Sequence, residues 1–236
     1  MTTEIHVYSD AATPLQGYLS YENAKSPKPA VLICPDWTGR NAFADQQANA
    51  FAKRGYVGFA IDIYGNGQQG KDNDEKSALM QPFMKNRAML RQRLLAAFNS
   101  VKELDVVDSK RIAIIGFCFG GLCALDLARS GADIKGAVSF HGLLHRPSNL
   151  PNETITTKVL ALHGYDDPMV TPADVNAFAE EMTTAQVDWQ VHLYGNTKHA
   201  FTNPLANDPT FGTVYNEVAA NRSFYTMHHF LQEIFQ

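Results

Sequence analysis

Cysteine is scarce in this sequence, and the few cysteines present do not form a framework. Cys34, Cys118 and Cys123 are the only three among 236 residues, and no two of them form a C-x-x-C pair. An odd, sparse set of this kind indicates reduced thiols and argues against a disulfide scaffold or a zinc knuckle. A chain of this length buries roughly 70–75% of its unfolded surface, so it needs no such staple.

Long apolar runs and an excess of basic residues are also missing. No segment approaches the ~20 apolar residues that span a bilayer, and the N-terminal sequence MTTEIH lacks the basic and apolar stretches of a signal peptide. The net charge is −4 and the pI is about 6.0. We therefore expect a cytoplasmic protein with a small-molecule partner and with neither nucleic acid nor membrane bound. The composition points to no particular oligomeric state.

Segments typical of strands and helices alternate along the chain, without an internal repeat or a low-complexity run. Short apolar runs predict strands, and segments of helical spacing that end at glycine predict helices. The predicted strands are Glu4–Tyr8, Gln16–Tyr21, Ala30–Cys34, Tyr56–Ile61, Arg111–Ile115, Ile134–Phe140, Lys158–His163 and Trp189–Tyr194. The predicted helices are Ala44–Arg54, Met80–Leu104 with a break near Pro82, Phe119–Arg129, Pro172–Ala185 and Thr213–Phe235, with a surface loop at Asn66–Lys76.

Continuous apolar strands that alternate with helices predict an α/β fold, a mostly parallel twisted sheet with helices on both faces. We expect residues 1–236 to form a single domain, because α/β domains reach this length and the alternation resumes after the polar segment 66–76. Ligands of such sheets bind at the carboxyl ends of the strands. Polar residues directly after predicted strands are therefore the candidates for a functional site.

The strongest of these signals is the sequence GFCFGG at positions 116–121, which follows one predicted strand and opens a predicted helix. So sharp a turn strains its central residue, and side chains two residues to either side would crowd it, so Gly116 and Gly120 fit there. The turn lifts Cys118 above the sheet at a helix N-terminus, where the helix dipole and free N–H groups favour a thiolate. The pattern predicts a nucleophile elbow with cysteine in place of serine.

Two other interpretations of this turn stay open at the level of sequence. Cys118 can be a buried structural cysteine, and a glycine-rich turn at a helix start can hold the phosphates of a nicotinamide dinucleotide. The spacing is GxxxGG instead of GxGxxG, and the turn belongs to the third strand–helix unit instead of the first. Both facts count against a dinucleotide site.

Two further motifs each follow a predicted strand, HGYDDP at 163–168 and KHAF at 198–201. A carboxylate in the first motif can orient a histidine, and we expect Asp167 instead of Asp166 to do so because of its position in the turn. His199, on a loop beyond the last strand, can reach the elbow as general base. Taken alone, each motif indicates no more than a turn aspartate or a solvated histidine. Together they follow the order nucleophile, acid, histidine of α/β-hydrolases.

With ICPDWTGRN at 33–41 and IDIYG at 61–65, these motifs resemble the dienelactone hydrolase (carboxymethylenebutenolidase) family over nearly the whole chain. The resemblance implies an α/β-hydrolase fold and the hydrolysis of a small ester or lactone through a thioester. Such a reaction needs no cofactor. It also implies that Cys118, His199 and Asp167 form the catalytic triad. A non-catalytic, ligand-binding protein of the same fold is the main alternative, and an intact triad argues against it.

The resemblance further implies an oxyanion hole formed by the backbone N–H groups of Trp37 and Phe119, with Asp36 and Tyr64 beside the substrate. Two departures from the family pattern matter. The family glutamate that contacts the resting thiol is replaced by Asp36, which is one methylene shorter. A family arginine that holds the substrate carboxylate is replaced by Asn203, and a neutral amide cannot form a bidentate guanidinium–carboxylate pair.

We therefore expect a substrate that depends less on a free carboxylate, unless Lys71 or another cation of the 66–76 segment restores the charge. No metal site is expected. His141 and His145 are four residues apart, but they lie in a predicted loop without a third ligand. His141 follows a predicted strand end and could line the pocket.

Overall fold

The computed structural model describes residues 1–23, 26–148, 150 and 153–236. An eight-stranded sheet has the order β1-β2-β4-β3-β5-β6-β7-β8. Its strands are β1 Thr2–Asp10, β2 Thr13–Tyr21, β3 Lys28–Cys34, β4 Val57–Ala60, β5 Val107–Phe117, β6 Gly136–Phe140, β7 Lys158–Gly164 and β8 Trp189–Tyr194. Strand β2 runs antiparallel to both of its neighbours, β1 and β4, whereas β3 to β8 are mutually parallel. The mostly parallel α/β sheet predicted from the sequence is confirmed.

Helices cover both faces of this sheet, as predicted. The helices are α1 Ala42–Lys53, α2 Asn73–Lys85, α3 Arg87–Lys102, α4 Phe119–Arg129, α5 Pro172–Thr184 and α6 Glu217–Ile234. One core contains buried residues of α3, α4 and α5, and the other contains residues of α1 and α6. Within the described ranges, no helix has the length and apolar character needed to cross a bilayer.

Strand β3 illustrates why the central strands are continuous apolar runs. Val31 and Ile33 pack in the core beneath α1 and α6, whereas Leu32 and Cys34 pack in the core beneath α3 and α4. Successive side chains of a strand point to opposite faces, so a strand covered on both sides must be apolar at every position. This arrangement leaves the carboxyl ends of the strands as the edge where polar side chains can gather.

The predicted surface loop Asn66–Lys76 is too long, because α2 already begins at Asn73. Asp72 caps this helix, and its side chain accepts a hydrogen bond from the N–H of Glu75 at 2.9 Å. Aspartate is among the preferred residues at this position. The acidic, polar residues that indicated a loop therefore form the cap and first turn of α2, and Lys76 lies within this helix.

The predicted long helix Met80–Leu104 is two helices that meet at Asn86, one turn beyond Pro82. Asn86 leaves the helical conformation, with φ −126° and ψ 83°, and its N–H donates to the carbonyl of Pro82 at 3.0 Å. Its side chain accepts from the N–H of Met89 at 3.1 Å and so starts α3. Asn86 thus ends α2 and begins α3. A prediction based on Pro82 alone therefore puts the break between the helices four residues too early.

The predicted closing helix Thr213–Phe235 begins four residues later than expected, at Glu217. Asn216 caps it by accepting from the N–H of Ala219 at 3.1 Å. The preceding residues Thr213–Val214 form a short strand, β10, that pairs antiparallel with β9, Asn207–Asp208. This small hairpin lies between the segment of His199 and the last helix, and it was not visible in the hydrophobic pattern.

Candidate active site

Cys118 sits in a sharp turn between β5 and α4. Its φ of 56° and ψ of −117° lie in a region that residues other than glycine rarely adopt. The N–H of Cys118 donates to the carbonyl of Phe140 at 3.0 Å, and its carbonyl accepts from the N–H of Gly121 at 2.9 Å. The strained backbone is therefore fixed between β6 and α4, and such strain persists only where neighbours hold it.

The two glycines that flank this turn allow chain segments to cross in close contact. A Cβ atom on Gly116 would overlap the carbonyl of Gly120, and one on Gly120 would overlap the carbonyls of Cys34 and Pro35. Neither position can therefore carry a side chain without moving the backbone. The same contact brings the segment after β3 against the start of α4.

Asp167 and His199 form a buried pair next to this turn. The Nδ1 atom of His199 lies 2.7 Å from Oδ2 of Asp167, and both side chains are buried. The other oxygen of Asp167 accepts from the N–H of Met169 at 2.8 Å. Asp166, in contrast, is exposed, and its Oδ2 accepts from the N–H of Thr197 at 3.2 Å. The histidine is thus paired with Asp167 and not with its neighbour.

The electrostatic surroundings favour a protonated His199. Burial lowers the pKa of His199, but the negative charge of Cys118 and the hydrogen bond to Asp167 outweigh it and raise this pKa to about 10. The Nε2 atom of His199 is buried, and within the described residues it has no hydrogen-bond partner of good geometry. The imidazole can therefore hold a proton beside the thiol and direct Nε2 to a reacting group.

His141 packs behind His199 and does not line an open surface. It is 2% exposed, and its ring lies 5.1 Å from that of His199 in an edge-to-face arrangement. Its Nε2 atom is 2.8 Å from Oγ1 of Thr202, on the loop that carries His199. Burial lowers the pKa of His141 far below its ordinary value, and the charges of His199 and His163 lower it further. His141 is thus a neutral neighbour of His199.

Tyr64 ties the loop after β3 to this site. Its hydroxyl donates to the carbonyl of Trp37 at 2.8 Å. Burial raises the pKa of Tyr64 well above its ordinary value, and the negative charges of Cys123, Asp36 and Cys118 add to the effect. The phenol therefore lies between the loop of Trp37 and the elbow of Cys118.

The two expected oxyanion donors lie on segments that meet at the elbow. Phe119 is the first residue of α4, so its N–H has no acceptor within the helix. The Tyr64 ring packs 6.4 Å from that of Phe119, and the same phenol binds the carbonyl of Trp37. Asp36 shapes the second segment, because its Oδ1 accepts from the N–H of Thr38 at 2.8 Å.

Among the cations of the 66–76 segment, Lys76 instead of Lys71 is the one that contacts the loop of Trp37. Lys71 is exposed, whereas the Nζ atom of Lys76 lies 5.8 Å from the centre of the Trp37 ring. Asn203 uses its Oδ1 to accept from the N–H of Leu205 at 2.9 Å, which shapes its own loop. In the described part of the chain, no group of three or more histidine, cysteine, aspartate or glutamate side chains is placed to hold a metal ion.

The hairpin of β9 and β10 adjoins the site and was not predicted from the sequence. The N–H of His199 donates to the carbonyl of Gly212 at 3.1 Å, and the N–H of Val214 donates to the carbonyl of His199 at 3.0 Å. Phe211 at its tip stacks on Trp37. The sequence DPTFG at 208–212 is a turn signal, but helical spacing from position 213 onward concealed it.

Comparison with protein-family models identifies the family of this chain. The model of the dienelactone hydrolase family matches residues 15–235. A solved structure of a dienelactone hydrolase-like promiscuous phosphotriesterase from metagenomic libraries is 35% identical, with a TM-score of 0.93 over 100% of this chain and 99% of that one.

Two curated relatives extend this comparison. Uncharacterized protein K02A2.1 of Caenorhabditis elegans is 37% identical over 149 residues, which cover 62% of this chain and 94% of that protein. A Bradyrhizobium protein named "Probable 2-oxo-3-(5-oxofuran-2-ylidene)propanoate lactonase" is 29% identical over 194 residues, 78% of this chain and 77% of its own.

Proposed function

This chain belongs to the dienelactone hydrolase family and is an ester or lactone hydrolase, and we propose that it works through a triad of Cys118, His199 and Asp167 and a thioester acyl-enzyme. The observation that carries the proposal is the buried pair of His199 and Asp167, 2.7 Å apart, beside a cysteine held in a strained turn at a helix start. The experiment that tests it is a hydrolysis screen over lactones and short aryl esters beside the Cys118→Ala variant.

Acylation begins from a thiolate and an imidazolium. The sulfur of Cys118 attacks the carbonyl carbon, and the carbonyl electron pair moves to oxygen, where the N–H groups of Trp37 and Phe119 stabilise it. The tetrahedral intermediate collapses, and the alkoxide leaves with the proton of His199. A thiolate suits esters and lactones, because a poor amine leaving group would be retained while the thiolate is expelled.

Deacylation requires His199 to act as a base, and acylation itself supplies that change. His199 is neutral at this stage because it has given its proton to the alkoxide. With the sulfur bound in a thioester, the negative charge of Cys118 no longer raises the pKa of His199, and burial opposes the effect of Asp167 that remains. The neutral imidazole takes a proton from water, which attacks the thioester carbonyl. Collapse releases the acid and restores the thiolate, and Asp167 keeps the imidazole oriented throughout.

The remaining site residues have supporting roles in this scheme. Tyr64 holds the backbone of the oxyanion loop through the carbonyl of Trp37, and Asp36 shapes the same loop through the N–H of Thr38.

We assign residues 1–236 to one domain, because a single sheet takes strands from β1 to β8 and α6 packs on it. A thiolate nucleophile fits a reducing compartment, so we place the enzyme in the cytoplasm.

A phosphotriester is a second candidate substrate, supported by the metagenomic phosphotriesterase that is 35% identical over the whole of this chain. The thiolate of Cys118 would attack phosphorus, and the aryloxide would leave with the proton of His199. Neutral His199 would then take a proton from water, which attacks phosphorus, so that the P–S bond breaks, the phosphodiester is released and the thiolate is restored. Hydrolysis of an aryl phosphotriester that disappears in Cys118→Ala would support this activity. An equal rate in both proteins would show that Cys118 takes no part in this turnover.

The titration of His199 should depend on the thiol of Cys118. We expect the imidazole of His199 to titrate near pH 10 in the wild type and at a markedly lower pH in Cys118→Ser, since the thiolate that raises its pKa is removed. NMR of protein labelled with 15N at histidine measures both values. His228, whose pKa burial lowers to about 4, is the control and should titrate alike in both proteins. Identical titration curves for His199 in the two proteins would contradict the ion pair between the Cys118 thiolate and the His199 imidazolium.

Neutral substrates should be hydrolysed about as well as anionic ones. Asn203 stands where the family has an arginine, and the loss of a charge-assisted hydrogen bond costs roughly 1.5–3 kcal/mol, or about one to two factors of ten in affinity. The test compares kcat/KM for an anionic lactone and its neutral methyl ester at one salt concentration. A preference for the anion of roughly a hundredfold or more would count against this expectation, and Lys76→Met would then show whether Lys76 supplies the cation.

A further inference from the structure

The hairpin of β9 and β10 is attached to the backbone of His199. The His199 N–H donates to Gly212 and the His199 carbonyl accepts from Val214, at 3.1 and 3.0 Å, so His199 pairs with the hairpin like a strand. Two hydrogen bonds to the segment that carries the base leave little freedom for the hairpin to move independently of it. Whatever the hairpin contacts is therefore coupled to the position of His199.

The tip of the hairpin contacts the oxyanion loop. The ring of Phe211 lies 5.9 Å from that of Trp37, with an angle of 16° between their planes. The ammonium group of Lys76 lies over the same indole, and the hydroxyl of Tyr64 binds the Trp37 carbonyl. Phe211 and Lys76 thus contact the ring of Trp37, and Tyr64 binds its backbone.

We propose that Phe211 is a positioning residue that links the His199 segment to the oxyanion loop and so keeps the N–H of Trp37 aimed at the reacting carbonyl oxygen. This inference rests on the proposed function, in which that N–H receives the developing charge. Offset-stacked aromatic pairs such as Phe211 and Trp37 have a preferred geometry, so the contact restrains the loop in one orientation. Oxyanion donors stabilise the transition state effectively only when they are already oriented before the reaction.

The phenyl ring is not required to build the hairpin. The turn is formed by Asp208, whose Oδ1 accepts from the N–H groups of Thr210 and Phe211 at 3.1 and 2.9 Å. Phe211 is also 44% exposed, so its ring contributes little to the buried core. Truncation of the side chain should therefore leave the hairpin and its bonds to His199 in place and remove only the contact with Trp37.

The kinetic test compares Phe211→Ala, Phe211→Tyr and Leu205→Ala on an ester that the wild type hydrolyses. Removal of an oxyanion donor costs about 10²–10³-fold in kcat, so a loosened donor should cost about ten- to a hundredfold in Phe211→Ala, with KM changed less than about threefold. Phe211→Tyr keeps the ring and should stay within about threefold of the wild type. Leu205, 89% exposed in the segment just before β9, is the matched control and should behave as wild type. A wild-type kcat in Phe211→Ala, or no recovery in Phe211→Tyr, would overturn the proposal.

A fluorescence test judges the contact without reference to catalysis. The chain has two tryptophans, so Trp189→Phe leaves Trp37 as the sole indole emitter. In that background, Phe211→Ala should shift the emission of Trp37 to longer wavelength and lower its anisotropy, whereas Leu205→Ala should change neither. Unchanged emission and anisotropy would overturn the proposed contact. If Cys118→Ala retained wild-type turnover, the proposed function would fail on its own, and the emission would still report on Phe211 and Trp37.

Discussion

Replacement of Cys118 by alanine should abolish ester hydrolysis and lower kcat/KM by roughly four orders of magnitude or more, as expected for a triad that loses its nucleophile. In the proposed mechanism no acyl-enzyme can form without the sulfur, and the proposed oxyanion donors and His199 are left with water as the sole nucleophile. The strained backbone of Cys118, with φ 56°, is held by hydrogen bonds to Phe140 and Gly121 that involve only main-chain atoms. Alanine can therefore occupy the turn, and the loss should be chemical instead of structural.

The measurement is kcat/KM for a lactone and an aryl ester, with thermal unfolding of each variant as a check on folding. Cys123→Ala is the matched control, because Cys123 is a free, buried cysteine of α4 that takes no part in the proposed chemistry. Mass spectrometry after rapid mixing with a slow ester should detect the acyl group on the wild type and not on Cys118→Ala. Turnover of the alanine variant at the wild-type rate would refute the assignment of the nucleophile.

The elbow and the sheet could be predicted because each depends on local sequence. The two flanking glycines and the apolar strand before them leave few alternatives to a tight turn, and the structure places Gly116 and Gly120 in backbone contacts that exclude a side chain. The alternation of buried strands and helices also predicted the parallel sheet, because a strand such as β3 that is covered on both faces must be apolar at every position.

Features that depend on distant contacts were not predictable in this way. Thr213 continued a helical pattern, but pairing with β9 and with the backbone of His199 gave it a strand conformation. Tertiary pairing overrides local propensity in such short segments. The stacking of Phe211 on Trp37 and the approach of Lys76 to the same ring likewise join segments far apart in the sequence. The break at Asn86, in contrast, depends on local sequence, because the Asn86 side chain caps α3. It was misplaced because the prediction considered only Pro82.

Asp167→Asn should lower kcat by roughly 10³–10⁴-fold, whereas Asp166→Asn should change it less than about threefold. The carboxylate of Asp167 uses both oxygens, one for the N–H of Met169 and one for Nδ1 of His199. An asparagine has only one acceptor oxygen. It must either leave the N–H of Met169 unpaired or present its NH2 group to His199, which forces the wrong tautomer on the imidazole.

Asp166 offers a control of nearly the same chemistry one residue away. It is exposed, and its oxygen that accepts from Thr197 can be replaced by the amide oxygen of an asparagine, so that hydrogen bond survives the substitution. The comparison is made at saturating ester, with 15N NMR of His199 in both variants. Asp167→Asn should also lower the pKa of His199 from about 10, because the hydrogen bond and the charge of Asp167 both raise it. Equal losses of kcat in the two variants, or a larger loss in Asp166→Asn, would mean that the carboxylate paired with His199 is not the one that orients it during catalysis.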